Sequence, residues 1–274
     1  MPSAPAFAYE GPDFPGCLPM RLKAICRIAA VALLAMPLIP LQWLAVRRDW
    51  ALARRLPVFF HRSVLAIIGV RVAVNGTQAR QRPLLIVANH VSWLDIVVLG
   101  ALAPLSFIAK SEVRGWPVIG LFARLQRSVF IERERRHKTG HATAAIGARL
   151  KAGDAMVLFG EGTTGDGVHV LPFRSALVGA AREALDGGEA AAYVQPLALR
   201  YAKRGGLPIG RGAMKEVAWI GDMDLAPHLV GILSGPPIDA VVTWGEALAC
   251  DAATDRKTLT RQLEADVRRL VRAS

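Results

Sequence analysis

A chain of 274 residues is long enough for one sizeable α/β domain with an appended element, and short for two large independent domains. Hydrophobic residues make up 53% and charged residues 20%, which is apolar for a soluble enzyme but leaves polar surface for an aqueous face. Cys17, Cys26 and Cys250 form no C-x-x-C pair and no ligand-like cluster with histidine, which argues against a disulfide framework or structural zinc site and fits a reducing compartment.

The formal net charge of +12 is unevenly placed. Residues 1–82 hold 11 Lys and Arg against 3 Asp and Glu, so two thirds of the excess surrounds the most apolar part of the chain. A basic collar beside a greasy segment suits an anionic lipid surface. Nucleic acid is the competing partner for a basic protein, but no recognition helix, zinc finger or aromatic-basic RNP pattern is present.

In chain order, residues 1–19 carry five prolines and no apolar periodicity, which predicts a mobile tail ending at about residue 20. Ile28–Val46 then runs 19 residues without a charge, between Arg21, Lys23 and Arg27 on one side and Arg47 and Arg48 on the other. At 1.5 Å per residue such a helix just reaches across a hydrocarbon core of roughly 30 Å. Pro37 and Pro40 sit in its middle, where each removes a helical hydrogen bond. A signal peptide fits poorly, because the basic flank continues past the run and no A-x-A site follows. A single span and a proline-broken hairpin dipping into one leaflet both remain. Leu52–Gly69 reads as a second, amphipathic helix interrupted by His61 and Arg62, so residues 21–69 form a candidate membrane-anchoring element.

From residue 70 to 274 the pattern changes to short β-branched runs alternating with helices. The expected strands are Val70–Val74, Leu84–Ala88, Ser106–Ala109, Val129–Glu132, Met156–Phe159, Val194–Leu199 and Ile238–Thr243. Helices are expected over Ser92–Leu102, Pro117–Leu125, Lys138–Lys151, Ser175–Leu185, Leu225–Leu233 and Arg256–Arg272. Alternation of this kind predicts an α/β domain with a parallel or mixed sheet flanked by helices.

The chemistry-bearing residues sit at strand ends, where α/β folds place their sites. The strand Leu84–Ala88 runs directly into Asn89 and His90. On one ideal helix His90 and Asp95 would lie about 140° apart. With His90 in the turn and Asp95 in the first helical turn, the chain can fold back. The carboxylate would then hold one ring nitrogen and leave the other to take a proton. The bland alternative has Asp95 completing a capping-box start at Ser92 and His90 as an ordinary loop histidine. Lys110 and Arg133 end strand-like runs, where a cation can hold an anionic head group or simply be solvated. Residues 160–167 contain four glycines in eight, more than a plain turn needs, so backbone could approach a ligand there. Asp222-Met223-Asp224 reads equally as a helix cap or a site.

The block Asn89-His90-Val91-Ser92-Trp93-Leu94-Asp95, followed in order by Phe130-Ile131-Glu132-Arg133 and Phe159-Gly160-Glu161-Gly162-Thr163, resembles the phosphatidate-forming 1-acylglycerol-3-phosphate acyltransferase family, from about Leu84 to Leu199. The resemblance implies a glycerolipid acyltransferase-like α/β domain, with His90 as catalytic base and Asp95 as its orienting partner. It implies acceptor binding by Arg133, Glu161, Gly162 and Thr163, and less specifically by Lys110. It also implies an acyl donor on acyl carrier protein or coenzyme A, a lysolipid acceptor, and a place on the cytoplasmic face of a bacterial inner membrane. The chain departs from the family at Gly160, where proline is usual, and at Thr164, where arginine is usual. Arg174 is the candidate to replace that guanidinium. The E-G-T-T-G-D-G form, with Tyr193-Val194-Gln195-Pro196 downstream, is closer to a bacterial branch that acylates lyso-ornithine lipid.

No G-x-S-x-G or activated cysteine is present, so the acceptor hydroxyl is the expected nucleophile. Backbone N–H groups near Gly162 are the candidate oxyanion donors. No motif calls for a metal or cofactor. A catalytically silent lipid-binding protein would keep the basic collar without needing His90, Asp95 and the glycine-rich loop together, and a lipid hydrolase would lack its nucleophile.

Overall fold

The computed structural model describes residues 20–131, 139–175, 192–221, 223–251 and 254–274. Two helices come first, α1 (Met20–Arg47) and α2 (Leu52–Ile68). Strand β1 (Val70–Asn75) and strand β2 (Leu84–Ala88) follow, then α3 (Leu94–Leu102) and β3 (Leu105–Lys110). Next are α4 (Ile119–Leu125), β4 (Val129–Ile131), α5 (Thr139–Lys151) and β5 (Ala155–Phe159). The chain ends with β6 (Ala192–Arg204), β7 (Leu207–Pro208), α6 (Leu225–Ser234), β8 (Ile238–Trp244), β9 (Leu248–Cys250) and α7 (Arg256–Ala273). The proposed tail, the helix expected after Ser175 and Arg133 lie outside the described residues.

The strands form one mixed sheet in the order β1-β8-β6-β2-β5-β3-β4, with β7 and β9 also paired to β6. β6, β2, β5, β3 and β4 run parallel, while β8 and its parallel neighbour β1 run against them. β2 is buried at every residue because it lies mid-sheet with helices on both faces, which is why it reads as an unbroken apolar run. Leu84, Ile86 and Ala88 face a layer built from α1, α2, α3 and α6, while Leu85 and Val87 face α5 and α7. In α7, Leu259, Leu263 and Val267 recur every four residues and are buried. Asp255 caps its start by accepting from Thr258 N at 2.7 Å. The C-terminal ends of β2, β5 and β3 lie side by side and point the same way, so the chemistry-bearing loops share one end of the sheet.

Helix α1 continues through Pro37 and Pro40, and the hairpin turn comes at residues 48–51 instead. The carbonyls that those prolines leave without helical partners belong to Leu33 and Met36, which are 68% and 67% exposed. Pro57 in α2 frees the carbonyl of Ala53 on the inner side, and there Gln42 supplies the missing donor. Its buried Nε2 donates to Ala53 O at 2.9 Å and to Leu125 O, at the end of α4, at 2.8 Å. The N-terminal part of α1 is tied down by Lys23 and Arg27, which donate to the carbonyls of Gly235 and Leu233 at 2.9 Å. His61 and Arg62, which break the apolar face of α2 in the sequence, join it to α3. The His61 ring lies so close to Gly100 that a Cβ there would come within 2.2 Å of its Nδ1, and burial lowers its pKa to about 4. Arg62 Nε donates to Ala101 O at 2.8 Å.

Gln42 thus answers two buried carbonyls, one of them orphaned by a proline. Gln42→Leu is expected to lower unfolding free energy by ~2 kcal/mol. In a Pro57→Ala background, where a restored N–H reclaims the Ala53 carbonyl, the loss should shrink by ~1 kcal/mol. Denaturant unfolding of the four proteins measures both terms, and equal losses in the two backgrounds would contradict the assignment.

Candidate active site

His90 leaves the end of β2 in a turn held from three sides. Asn89 reaches across to β6 as a strand would, donating to Leu199 O at 2.9 Å and accepting from Leu199 N at 2.8 Å. The His90 carbonyl accepts from Gly165 N at 2.8 Å, and the Val91 carbonyl from Trp219 N at 2.9 Å. The imidazole stacks on Phe159, the last residue of β5, with ring centroids 3.8 Å apart and planes 10° apart.

Asp95 sits in the first turn of α3 and is wholly buried. Its Oδ2 lies 2.7 Å from His90 Nδ1 and accepts from Val91 N at 2.6 Å and Ser92 N at 3.0 Å. Its Oδ1 accepts from the Tyr201 hydroxyl at 2.7 Å. Helix-start and catalytic readings of Asp95 are therefore one arrangement: the carboxylate that ties down the first N–H groups also holds the ring. With Nδ1–H committed to a carboxylate, Nε2 carries the lone pair and can accept a proton. The helix begins at Leu94 rather than Ser92, because Val91 and Ser92 curl around that carboxylate.

The glycine-rich loop packs against the same turn. Gly160, Gly162 and Gly165 donate their N–H groups to the carbonyls of Ala88, Phe159 and His90, so these three are spent within the fold and do not supply oxyanion donors. Gly162 has φ +72°. At Gly167, also at φ +72°, a Cβ would meet Val91 and Met214 within 3 Å. At Gly160 a Cβ would lie 2.6 Å from the Phe173 ring, which accounts for glycine where the family carries proline.

Glu161 is buried and turned inward, its Oε1 accepting from His90 N at 3.2 Å. Burial above all, with Asp95 adding to it, pushes its pKa up to about 8 against the backbone N–H groups of His90 and Leu171. It is thus a neutral acid at neutral pH that joins the loop to the His90 turn. Thr163 is half-buried on that loop, and Arg174 follows it with an exposed side chain and its N–H on Gly160 O at 2.8 Å. Lys110 is exposed at the end of β3, two strands from β2 and so roughly 10 Å away across the sheet. Arg133 falls outside the described residues. Among the described residues no group of three His, Cys, Asp or Glu side chains gathers as a metal-ligand set.

Sequence reasoning missed Tyr201, Phe159 and the pair formed by Trp93 and His228, where Trp93 Nε1 donates to His228 Nδ1 at 3.0 Å. Tyr201 had a usable signal. It extends the alternation of Leu197 and Leu199 into the core, but Arg200 reads as the end of the strand.

The family model described as Acyltransferase matches residues 71–200. A lyso-ornithine lipid O-acyltransferase of Brucella abortus is 51% identical over 90% of this chain and 93% of its own length. Another from Rhizobium meliloti is 42% identical over 90% of this chain and 85% of its own. A 1-acyl-sn-glycerol-3-phosphate acyltransferase of Neisseria meningitidis is 33% identical over 77% and 78%. The crystal structure of a 1-acyl-sn-glycerophosphate acyltransferase from Thermotoga maritima shares the fold, with a TM-score of 0.65 at 21% identity over 93% of this chain and 94% of that one. The chain belongs to the acyltransferase family and is an acyltransferase enzyme, on the fold that its motif order implied.

His90→Ala is expected to remove the general-base contribution, a loss of about 10²–10⁴ in kcat. Asp95→Asn should cost less. The amide oxygen can keep the Val91, Ser92 and His90 donors while its NH₂ turns to the Tyr201 oxygen, so geometry survives and the negative charge is lost. Steady-state acyl transfer by the two variants checks the ranking, and near-normal turnover by His90→Ala would sink the base assignment.

Proposed function

We propose that this enzyme transfers a fatty acyl chain from acyl carrier protein or coenzyme A to the free hydroxyl of a lysolipid, with lyso-ornithine lipid preferred. The observation that carries this reading is the His90–Asp95 contact, which leaves Nε2 available at the open end of the sheet. The hydroxyl oxygen attacks the thioester carbonyl as Nε2 takes its proton. The imidazolium, stabilised by Asp95 and by the face of Phe159, then returns that proton to the departing thiolate. The products are an ester and a free thiol, and fixing both substrates lowers the barrier further.

The acceptor reading rests on the Brucella and Rhizobium relatives and on Thr164, which stands where a phosphate-binding arginine is expected. Lys110, Arg133 and Arg174 are the proposed head-group cations, and the carboxylate of lyso-ornithine lipid gives them a partner. A second reading, a strict 1-acylglycerol-3-phosphate acyltransferase, draws on the Neisseria relative and on those same cations.

The proposed place of work is the surface of the inner membrane on its cytoplasmic side, with α1 lying in the interface. Ile25, Met36 and Trp43 project within about 20° of one line along α1, and all are exposed. Lys23, Arg27 and Gln42 fasten α1 along the domain, which favours a helix lying on the membrane over one crossing it. The prolines favour the same orientation. In hydrocarbon the freed carbonyls of Leu33 and Met36 would cost several kcal/mol, roughly, whereas at the interface water reaches them.

Two measurements follow. Missing one charged contact typically costs ~1.5–3 kcal/mol, so lyso-ornithine lipid should be used about ten- to a hundredfold more efficiently than 1-acylglycerol-3-phosphate. Thr164→Arg should narrow that gap. A strong wild-type preference for the phosphate lipid would favour the second reading. Separately, the double change Ile25→Glu with Met36→Glu should cut co-sedimentation with phosphatidylglycerol vesicles at least about tenfold, because two charges enter the apolar stripe. Undiminished binding by a folded double variant would remove α1 from the membrane contact.

A further inference from the structure

The catalytic carboxylate is served unequally at its two oxygens. Oδ2 of Asp95 meets the His90 ring and two backbone N–H groups, whereas the donor on Oδ1 is a side chain from another part of the chain, Tyr201 on β6. Both residues are buried, at 0% and 1% exposure, so water has little access to that oxygen. We propose that Tyr201 is a positioning residue for acyl transfer, fixing the Asp95 carboxylate through Oδ1 so that Oδ2 holds the His90 imidazole in its base-competent orientation. The inference rests on the acyl-transfer role given to His90 above.

Tyr201 is held to this task by its own surroundings. β6 is registered against β2 from Tyr193 to Leu197, and the Asn89 amide locks Leu199 two residues before the tyrosine. A strand side chain two positions on points to the same face. The ring packs with Leu197 and Leu199 in the core while the hydroxyl meets the carboxylate. Burial, and then Asp95 itself, raises the phenol's pKa, so Tyr201 stays a donor throughout the working pH range. Without that hydroxyl, Oδ1 would be an unpartnered buried acceptor. The carboxylate would also keep more of its negative charge for the imidazolium. The titratable groups facing the pair from neighbouring elements are Glu161 on the glycine-rich loop, with Asp166 further along it, and Tyr201 itself.

Tyr201→Phe keeps the ring that fills the core and removes the hydroxyl alone. In vesicles containing lysolipid and acyl thioester, kcat should fall about ten- to a hundredfold with KM for both substrates unchanged. The acid limb of the kcat/KM profile should move up by about half a unit or more. In an Asp95→Asn background the same change should add less than about twofold, because Tyr201 acts through that carboxylate. A merely structural tyrosine would instead leave the acid limb in place and multiply with Asp95→Asn, whatever the change in unfolding temperature. That pattern, or a Tyr201→Phe protein within twofold of wild type, overturns the inference while leaving the enzyme's function intact. Failure of the wild-type protein to transfer any acyl chain would overturn the underlying reading as well.

Discussion

A buried carboxylate with no Lys or Arg beside it among the described residues is the constraint on which the rest of this structure turns. Asp95 is fully buried, and none of its hydrogen-bond donors lies within α3 itself. Its partners come from two other parts of the chain: His90, Val91 and Ser92 in the turn after β2, and Tyr201 on β6. Removing water from such a group is expensive unless every lone pair finds a donor. The donors in turn need the strands in register, which explains why Asn89 imitates a strand and pins Leu199. The geometry of the proposed catalytic pair and the centre of the fold are here the same set of hydrogen bonds.

Two carboxyl groups meet beside the His90 turn, and their surroundings give them opposite roles. Asp95 is surrounded by donors and acts as an acceptor at both oxygens. Glu161 has one oxygen on His90 N and a second, buried Oε2 with no hydrogen-bond partner among the described residues. Burial makes Glu161 the neutral member, pushed up to about 8, so the two do not compete as adjacent anions. The glycines of the loop let this acid lie close against the turn. Gly165 would bring a Cβ within 3.1 Å of Glu161 Oε2, and Gly167 would drive one into Val91. A sequence signal that reads as a ligand cradle is, in this fold, partly a packing surface for the His90 turn.

How much of this was legible in the sequence follows from the range of each interaction. His90 and Asp95 are five residues apart, and the turn between them is short enough to deduce. The parallel strands announce themselves because burial on both faces makes them continuously apolar. Tyr201 meets Asp95 across 106 residues, and no local pattern encodes a contact of that span. β9 is three residues long and β7 two, too short for any periodicity to register. Gln42 was hidden for a different reason. A lone amide in an apolar run looks like noise until Pro57, on another helix, leaves a carbonyl for it to serve.

Prolines in α1 and α2 carry the same covalent defect, and its consequence depends on which way the freed carbonyl faces. In α2 it faces inward, and a neighbouring helix had to provide Gln42. In α1 the affected residues are exposed, and no such partner is needed where water is present. A helix crossing hydrocarbon would need another donor for such carbonyls, from a neighbouring helix, a hydroxyl side chain or a trapped water. Apolar length and composition alone, with mean hydropathy 2.1 over the best window, would allow α1 to cross a bilayer. The exposure of Leu33 and Met36, together with the side chains that lash the helix to α4 and α6, favours the proposed interfacial placement. In the proposed placement it would draw the domain flat against the lipid, where the lysolipid acceptor would lie.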